Sequence, residues 1–271
     1  MVDVFGGQGG AKTRRGPRGP RGPKGLRGYA GSIHDMCMWS PMALITNMRL
    51  YDESGYFSIE NADRDLKIKN KHIVAWMNKT GGKGNLVAKA PSPGYAQVKP
   101  NCFALMFNNS RYESATISAL PTIKGYCGFL CITFKVEEDG EQVLISNFNG
   151  DEENDYCEIL VTGTEIRLHL HSEDEIIQHN CTEWTTLYVS CNSDRSTSFF
   201  GYTINNKHVG SFISPSKDLN EIGIVVGARY DASSPMTGQI LAMEFYCTHQ
   251  PIQFPDDLKK IVNRCHMEKH P

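Results

Sequence analysis

From Gly16 to Gly31 a glycine stands at every third position, in the triplets Gly-Pro-Arg, Gly-Pro-Arg, Gly-Pro-Lys, Gly-Leu-Arg and Gly-Tyr-Ala, closed by Gly31. Three polyproline II chains meet around one axis only where every third residue lacks a side chain. Gly16, Gly19, Gly22, Gly25, Gly28 and Gly31, with proline at the X position, therefore carry the signature of a collagen triple helix. The alternative is a flexible Gly/Pro-rich linker, which has no reason to keep glycine in phase. The triplets predict a homotrimer with a rod of about 45 Å, at about 3.1 Å per residue. Arg and Lys side chains on three adjoining strands repel one another, so so short a stalk needs a trimeric neighbour or a bound anion to hold it.

Charge divides the chain in the same place. The first 31 residues carry seven basic side chains (Lys12, Arg14, Arg15, Arg18, Arg21, Lys24, Arg27) beside Asp3, leaving 21 basic and 29 acidic residues, a charge of −8, for 32–271. A cationic arm on an acidic body points to a partner for the arm, an anionic surface or nucleic acid, or to a solvated arm that keeps strands in register. Without interleaved aromatics, nucleic acid is the weaker reading. Three regions result: a flexible basic leader over 1–15, the stalk over 16–31 and a globular head over 32–271. Within the leader, Val2, Val4 and Phe5 form a candidate docking peptide that would order on binding; an unstructured terminus is the alternative.

Beyond Ile33 short apolar runs of period two alternate with Gly, Asn, Asp and Pro clusters. The runs 129–136, 142–148, 158–161, 165–170, 184–190, 198–204, 207–213, 222–226 and 239–246 read as strands with little helix between them, which predicts an all-β, antiparallel two-sheet jelly-roll sandwich. Asp139-Gly140 and Asn205-Asn206 read as hairpin turns. A helix is expected over Asp256–Asn263, opened by Pro255 and carrying Leu258, Ile261 and Val262 on one face. No apolar stretch approaches the roughly 20 residues that span a bilayer, and Met1 to Gly7 lack the layout of a signal peptide. The expectation is a protein made in the cytosol, whose nine cysteines are mostly buried reduced thiols.

The runs Ile73–Asn85 and Phe103–Tyr112, then Trp184–Ser190, Tyr202–Val209, Gly227, Thr237–Tyr246 and Phe254–Ile261, resemble in order and spacing the concanavalin A-like, laminin-G-like jelly rolls. The whole layout, a Phe-Gly-Gly-Gln-Gly-Gly leader, collagen triplets, a Met36-Cys-Met-Trp39 segment and a lectin-like domain, resembles the fibre-like proteins of Maverick/Polinton elements and adintoviruses. That resemblance implies a trimeric spike on the virion surface, with its leader (Val2 to Gly10) docked on a capsid protein and its heads facing glycan or protein receptors on a cell.

Catalytic and metal-binding patterns are thin. Glu137-Glu-Asp-Gly-Glu141 matches on paper the carboxylate string of concanavalin A-like β-glucanases, but a turn at Asp139-Gly140 would splay the carboxylates instead of aligning them in a cleft. His169 and His171 share one strand face and could meet a metal, although an exposed row beside Arg167 is the plainer account. The loop Gly150–Asp155 could offer oxygens to calcium but follows no loop template. Cys127 and Cys131 lack a second close pair, and Cys265-His266 stands alone. Gly81-Gly-Lys-Gly84 lacks the spacing of a phosphate loop. Trp76 and Trp184 read as core residues, and Trp39 as a packing or trimer contact. Sequons at Asn78, Asn108 and Asn180 would go unused without secretion. No cofactor, metal or catalytic residue is expected, and the reading is a non-enzymatic attachment protein. A structural capsid or matrix component and, at greater distance, a polysaccharide-active enzyme are its rivals.

Overall fold

The computed structural model describes residues 55–248, except 80–84, 90, 114–126, 149–155, 172, 194–196, 206 and 216–223. The leader, the Gly-X-Y segment, Trp39 and the expected helix at 256–263 lie outside the described residues. Within them, an eight-stranded antiparallel sheet contains β1 (Gly55–Ser58), β5 (Gly94–Lys99), β6 (Cys102–Asn108), β8 (Cys127–Val136), β13 (Thr185–Ser193), β14 (Thr197–Ile204), β15 (Lys207–Pro215) and β17 (Thr237–Thr248). A nine-stranded sheet contains β2 (Leu66–Lys69), β3 (His72–Trp76), β4 (Leu86–Lys89), β7 (Arg111–Glu113), β9 (Gln142–Ser146), β10 (Tyr156–Val161), β11 (Glu165–His171), β12 (Glu173–Gln178) and β16 (Val225–Val226). A single-turn helix, α1 (Ala62–Asp65), joins β1 to β2.

The strand orders are β15-β14-β13-β8-β17-β6-β5 and β12-β11-β10-β9-β16-β7-β4-β3-β2, and β1 shares with β6 one edge of the long strand β17. Alternation sets the faces. In β8, Leu130, Ile132, Phe134 and Val136 enter the core between the sheets, while Cys131 and Thr133 point away from it. A bulge between Ile240 and Ala242 changes the parity of β17, so that Ile240 before it and Met243 and Phe245 after it all face inward. Phe57, Trp76, Phe107, Tyr112, Phe134 and Phe245 fill the centre, with Phe57 tilted against Trp76 at 5.4 Å and Phe107 edge-on to Tyr112 at 5.9 Å between ring centroids.

All nine predicted strands are present in some part. Asn205 takes a positive φ of 48° at the predicted β14–β15 hairpin. Gly140 also has positive φ, 123°, yet Asp139-Gly140 is not a hairpin turn, because β8 and β9 belong to opposite sheets. Both hairpins and sheet-to-sheet crossings need residues tolerant of such a backbone, so turn chemistry alone does not separate them. The short strands β1, β2, β4, β5 and β12 were not expected; β12 reads Glu-Asp-Glu-Ile-Ile-Gln, too polar for a run of period two to show.

Register also gives the sandwich a polarity. Gly55 at the start of β1 pairs with Phe245, close to the end of β17 at Thr248. The chain therefore enters and leaves the eight-stranded sheet at one end. The connections 109–110, 137–141, 179–184 and 227–236, with Asn205, gather at the other.

Candidate functional site

The connection 227–236 builds a site on the outer side of the nine-stranded sheet. Gly227 starts it with φ 85°, where an added Cβ would lie 2.4 Å from the Phe107 ring and 3.0 Å from the Ser110 carbonyl oxygen. Its amide donates to the Leu144 carbonyl (3.0 Å), and its own carbonyl accepts from Met236 N–H (2.7 Å), so the loop closes on itself. An inner turn, in which Ala232 N–H donates to the Arg229 carbonyl and Asp231 accepts from Ser233 N–H, holds Arg229 over the sheet.

Beneath it lies Glu158. Its neighbours on β10, Cys157 and Ile159, are in the core, so Glu158 faces outward, yet it is fully buried. A buried carboxylate requires a charged partner. Arg229 supplies one in a two-pronged pair, Nε to Oε1 at 2.9 Å and Nη2 to Oε2 at 2.7 Å. This hydrogen bonding to Glu158 holds the guanidinium above its usual range.

From that pair an aromatic strip runs across the face. The Arg229 guanidinium lies 5.3 Å from the Phe148 ring centroid, Phe148 packs against Tyr156 at 4.6 Å, and Tyr156 stacks on His169 at 4.3 Å and 27°. His169 Nδ1 meets Asp174 Oδ1 at 2.7 Å. At the far end the Asp174 side chain is 52% exposed, and Tyr230, next to Arg229 in the chain, is 54% exposed. Beside the strip Arg167 is paired with Glu141 (2.8 Å), and further along the face Glu113 accepts from Arg111 (2.8 Å) and pairs with Lys89 (3.0 Å). Partly covered rings, the exposed Tyr230 and fixed carboxylates and guanidinium groups suit recognition of a hydroxyl-rich or mixed polar ligand, in which apolar ring faces stack and hydroxyls find acceptors.

The residues singled out in the sequence fall in different places. Glu137 and Glu141 lie in the crossing between sheets and do not share a strand face. Gln239 donates to Glu137 Oε1 (2.7 Å) and Arg167 holds Glu141. His169 is not part of an exposed row; it is mostly covered, between Tyr156 and Asp174, and the side chain of His171 lies outside the described residues. Trp76 is a core residue, as expected. Trp184 is not: it precedes β13, half-buried, with Lys135 Nζ 5.4 Å from its ring centroid. Among the described residues no three His, Cys, Asp or Glu side chains converge as a metal site would require. Cys131, Cys157 and Cys181 are buried and Cys102 half-buried; burial pushes the Cys181 thiol up to about 12. Gly81–Gly84, the loop 150–155, the docking residues Val2, Val4 and Phe5 and the six triplet glycines lie outside the described residues.

Glu158 and Arg229 escaped the sequence reading. The available signal was an acid inside the apolar run Cys157-Glu-Ile-Leu-Val161, which demands a cation from elsewhere. Nothing in the sequence says which cation.

The fold is that of an all-β, two-sheet jelly-roll sandwich of the lectin-like kind. No family model and no curated protein matches the chain. Among solved structures, the botulinum neurotoxin serotype D binding domain is similar, with a TM-score of 0.52 and 12% identity over 83% of this chain and 52% of the other. This chain thus spans about half the length of the toxin domain it matches. Domain 4 of AbnA, an extracellular arabinanase from Geobacillus stearothermophilus solved with arabinotriose, is similar at a TM-score of 0.48 and 15% identity, over 78% of this chain and 99% of that one. Among the described residues no helix is long and apolar enough to cross a membrane.

Proposed function

We propose that the described domain is the ligand-binding head of a non-enzymatic, homotrimeric attachment fibre of the kind carried by Maverick/Polinton elements and adintoviruses. In this reading the Gly16–Gly31 triplets trimerise the chain, Val2, Val4 and Phe5 dock the leader on a capsid protein, and the heads engage glycan or protein receptors from the virion surface. The observation that carries the binding role is the strip from Arg229 to Asp174, a rigid array of rings and charges fixed by a buried ion pair on an outer sheet face. Support comes also from the fold, which is shared with a toxin binding domain. Three weak sites on one stalk would gain avidity through effective concentration.

The test is binding of the full-length chain to a glycan array and to intact cells, beside variants Tyr230→Ala and Asp174→Asn, with sedimentation velocity run in parallel. The expected result is a trimer whose binding falls at least several-fold in both variants. A monomer at micromolar concentration overturns the fibre, and retention of full binding by both variants overturns the site.

A further inference from the structure

Three consecutive residues in the connection 227–236, Tyr230, Asp231 and Ala232, are exposed, while Ala228 and Met236 at its feet are buried. The turn between those feet is tied throughout. The Arg229 amide donates to the Ser233 carbonyl (3.1 Å), the Ala232 amide donates to the Arg229 carbonyl (3.0 Å), and Asp231 Oδ1 accepts from the Ser233 amide (2.8 Å). The Val143 amide of β9 donates to the Ser234 carbonyl (2.9 Å), which fastens the outgoing arm to the sheet; the Arg229–Glu158 pair fastens the incoming one. The backbone is also strained. Ala232 takes φ 69° and Ser234 φ 46°, left-handed values that are unfavourable for a residue with a side chain and that glycine would adopt freely. Such conformations persist only where the surroundings over-determine them, and they cluster at binding sites. On this frame the Tyr230 ring stands 54% exposed, and among the described residues no hydrogen bond, ion pair or ring contact engages its side chain. A single exposed aromatic is ordinary on a protein surface; one carried on a strained and tied turn is not.

We propose that the turn Tyr230–Ala232 is a protein-recognition finger: its receptor is a folded protein that takes the Tyr230 ring into an apolar pocket and meets the Asp231 carboxylate with a lysine or arginine at the pocket's rim. The inference rests on the attachment role and names the class of receptor within it. Chemistry selects a protein over a glycan. A sugar is held in a concave site by polar groups that converge on it, whereas the polar groups beside Tyr230 turn back on the domain, Arg229 to Glu158 and Asp231 to the Ser233 amide. The rings of the strip pack on one another, Phe148 on Tyr156 and Tyr156 on His169, which leaves Tyr230 for a partner. Tyrosine offers a large amphipathic contact with only two side-chain torsions to fix, and it recurs among the residues that carry most of the energy of protein interfaces. A turn already held in one shape loses little entropy on docking. Hydrogen bonds from the Ser233 side chain and amide hold the Asp231 carboxyl below its usual value, so the finger presents a negative charge that a cation on the partner can match.

The test applies fluorescently labelled full-length chain to a panel of intact cell lines, untreated, stripped with proteinase K, or stripped with mixed exo- and endoglycosidases, beside the full-length variants Tyr230→Ala and Ala232→Gly. Proteinase K should abolish binding, and the glycosidases should change it by less than about twofold. Tyr230→Ala should weaken binding about tenfold or more. Ala232→Gly relieves the strained φ but lets the finger move, so it should weaken binding about threefold or more at a thermal midpoint equal to or above the parent's, a split that a purely structural turn would not give. Binding lost on glycosidase treatment, or kept after proteinase K, assigns a receptor other than a protein and overturns the proposal while the attachment role stands. Binding by either variant within about twofold of the parent's overturns it as well, as does weakening of Ala232→Gly that is matched by a lower midpoint. Absence of binding by the parent on every cell line overturns the attachment role and the finger with it.

Discussion

Each sheet buries a carboxylate on its outer side, Glu158 on the nine-stranded sheet and Glu244 on the eight-stranded one, but their surroundings differ in what they leave exposed. Arg229 reaches Glu158 from a loop only a few residues away from β17 and leaves a quarter of its own side chain in solvent. That face is therefore ordered and accessible together. Around Glu244 the register neighbours Cys131, Thr133 and Ala242 have no exposed surface at all. The lesson is that a buried charge distinguishes a presented surface from a covered one by what remains exposed around its partner.

Removing Arg229 should break this comparison most strongly. Arg229→Ala leaves Glu158 buried without its cation, and loss of one member of such a pair costs about 3–5 kcal/mol; urea unfolding followed by tryptophan fluorescence measures it. Replacing both members, Arg229→Met with Glu158→Leu, should recover most of that stability while ligand binding stays lost. A double variant as unstable as the single one would mean that the pair contributes more to the fold than its charge balance explains. Gly227→Ala comes next, at about 1–3 kcal/mol for a non-glycine residue in a left-handed backbone, with the Phe107 ring as a further obstacle 2.4 Å from the new Cβ. Because Gly227 anchors the loop, this variant should weaken binding in proportion to its instability, whereas the Arg229/Glu158 double variant should weaken binding alone.

Acid should act on the turn of helix between β1 and β2, which ends at the buried Asp65. Burial opposes ionisation of Asp65, but hydrogen bonds from Arg64 and from the backbone of Asn61 and Glu60, with Lys79 nearby, outweigh it and hold the carboxyl below its usual value. A carboxylate with a lowered pKa in the fold contributes stability that is present above the unfolded value, about 3.9, and lost as pH falls through the folded one. Asp65→Asn should therefore cost on the order of 1–2 kcal/mol at pH 7, with the gap between variant and parent narrowing below about pH 4. Thermal melts at pH 7 and pH 3 check it, and a gap independent of pH would remove Asp65 from the account.

Much of the sandwich was legible in the sequence because residues such as Leu130, Ile132, Phe134 and Val136 repeat with the period of a half-buried strand. The pairing of strands was less so. Asp139-Gly140 shows that a residue pair suited to a turn says where the chain bends but not which sheet it enters next, since that is decided by packing over the whole core. Trp184 was misplaced for a related reason: an aromatic beside a strand looks the same whether it enters the core or lies under Lys135. The strip from Arg229 to Asp174 was invisible because its members are spread over three strands, two connections and 82 positions, from Phe148 to Arg229. No local spacing brings Arg229 to Glu158; only the β16–β17 connection does.

The smallest effect expected is also the one that bears on catalysis. Glu137 and Glu141 contact Gln239 and Arg167 in a half-exposed crossing between the sheets, with 42% of the Glu141 side chain exposed. Exposed pairs of this kind contribute about 0–1 kcal/mol, so Glu137→Gln and Glu141→Gln should each shift the urea midpoint little and leave receptor binding unchanged. A retaining or inverting glycosidase needs two carboxylates flanking one bond from fixed positions, whereas these two are engaged by different partners across a turn. Hydrolysis of a polysaccharide by the parent, abolished in both variants, would overturn the non-enzymatic reading. Unchanged binding with no hydrolysis in either chain would leave the carboxylates as ties that knit the loop end of the sandwich.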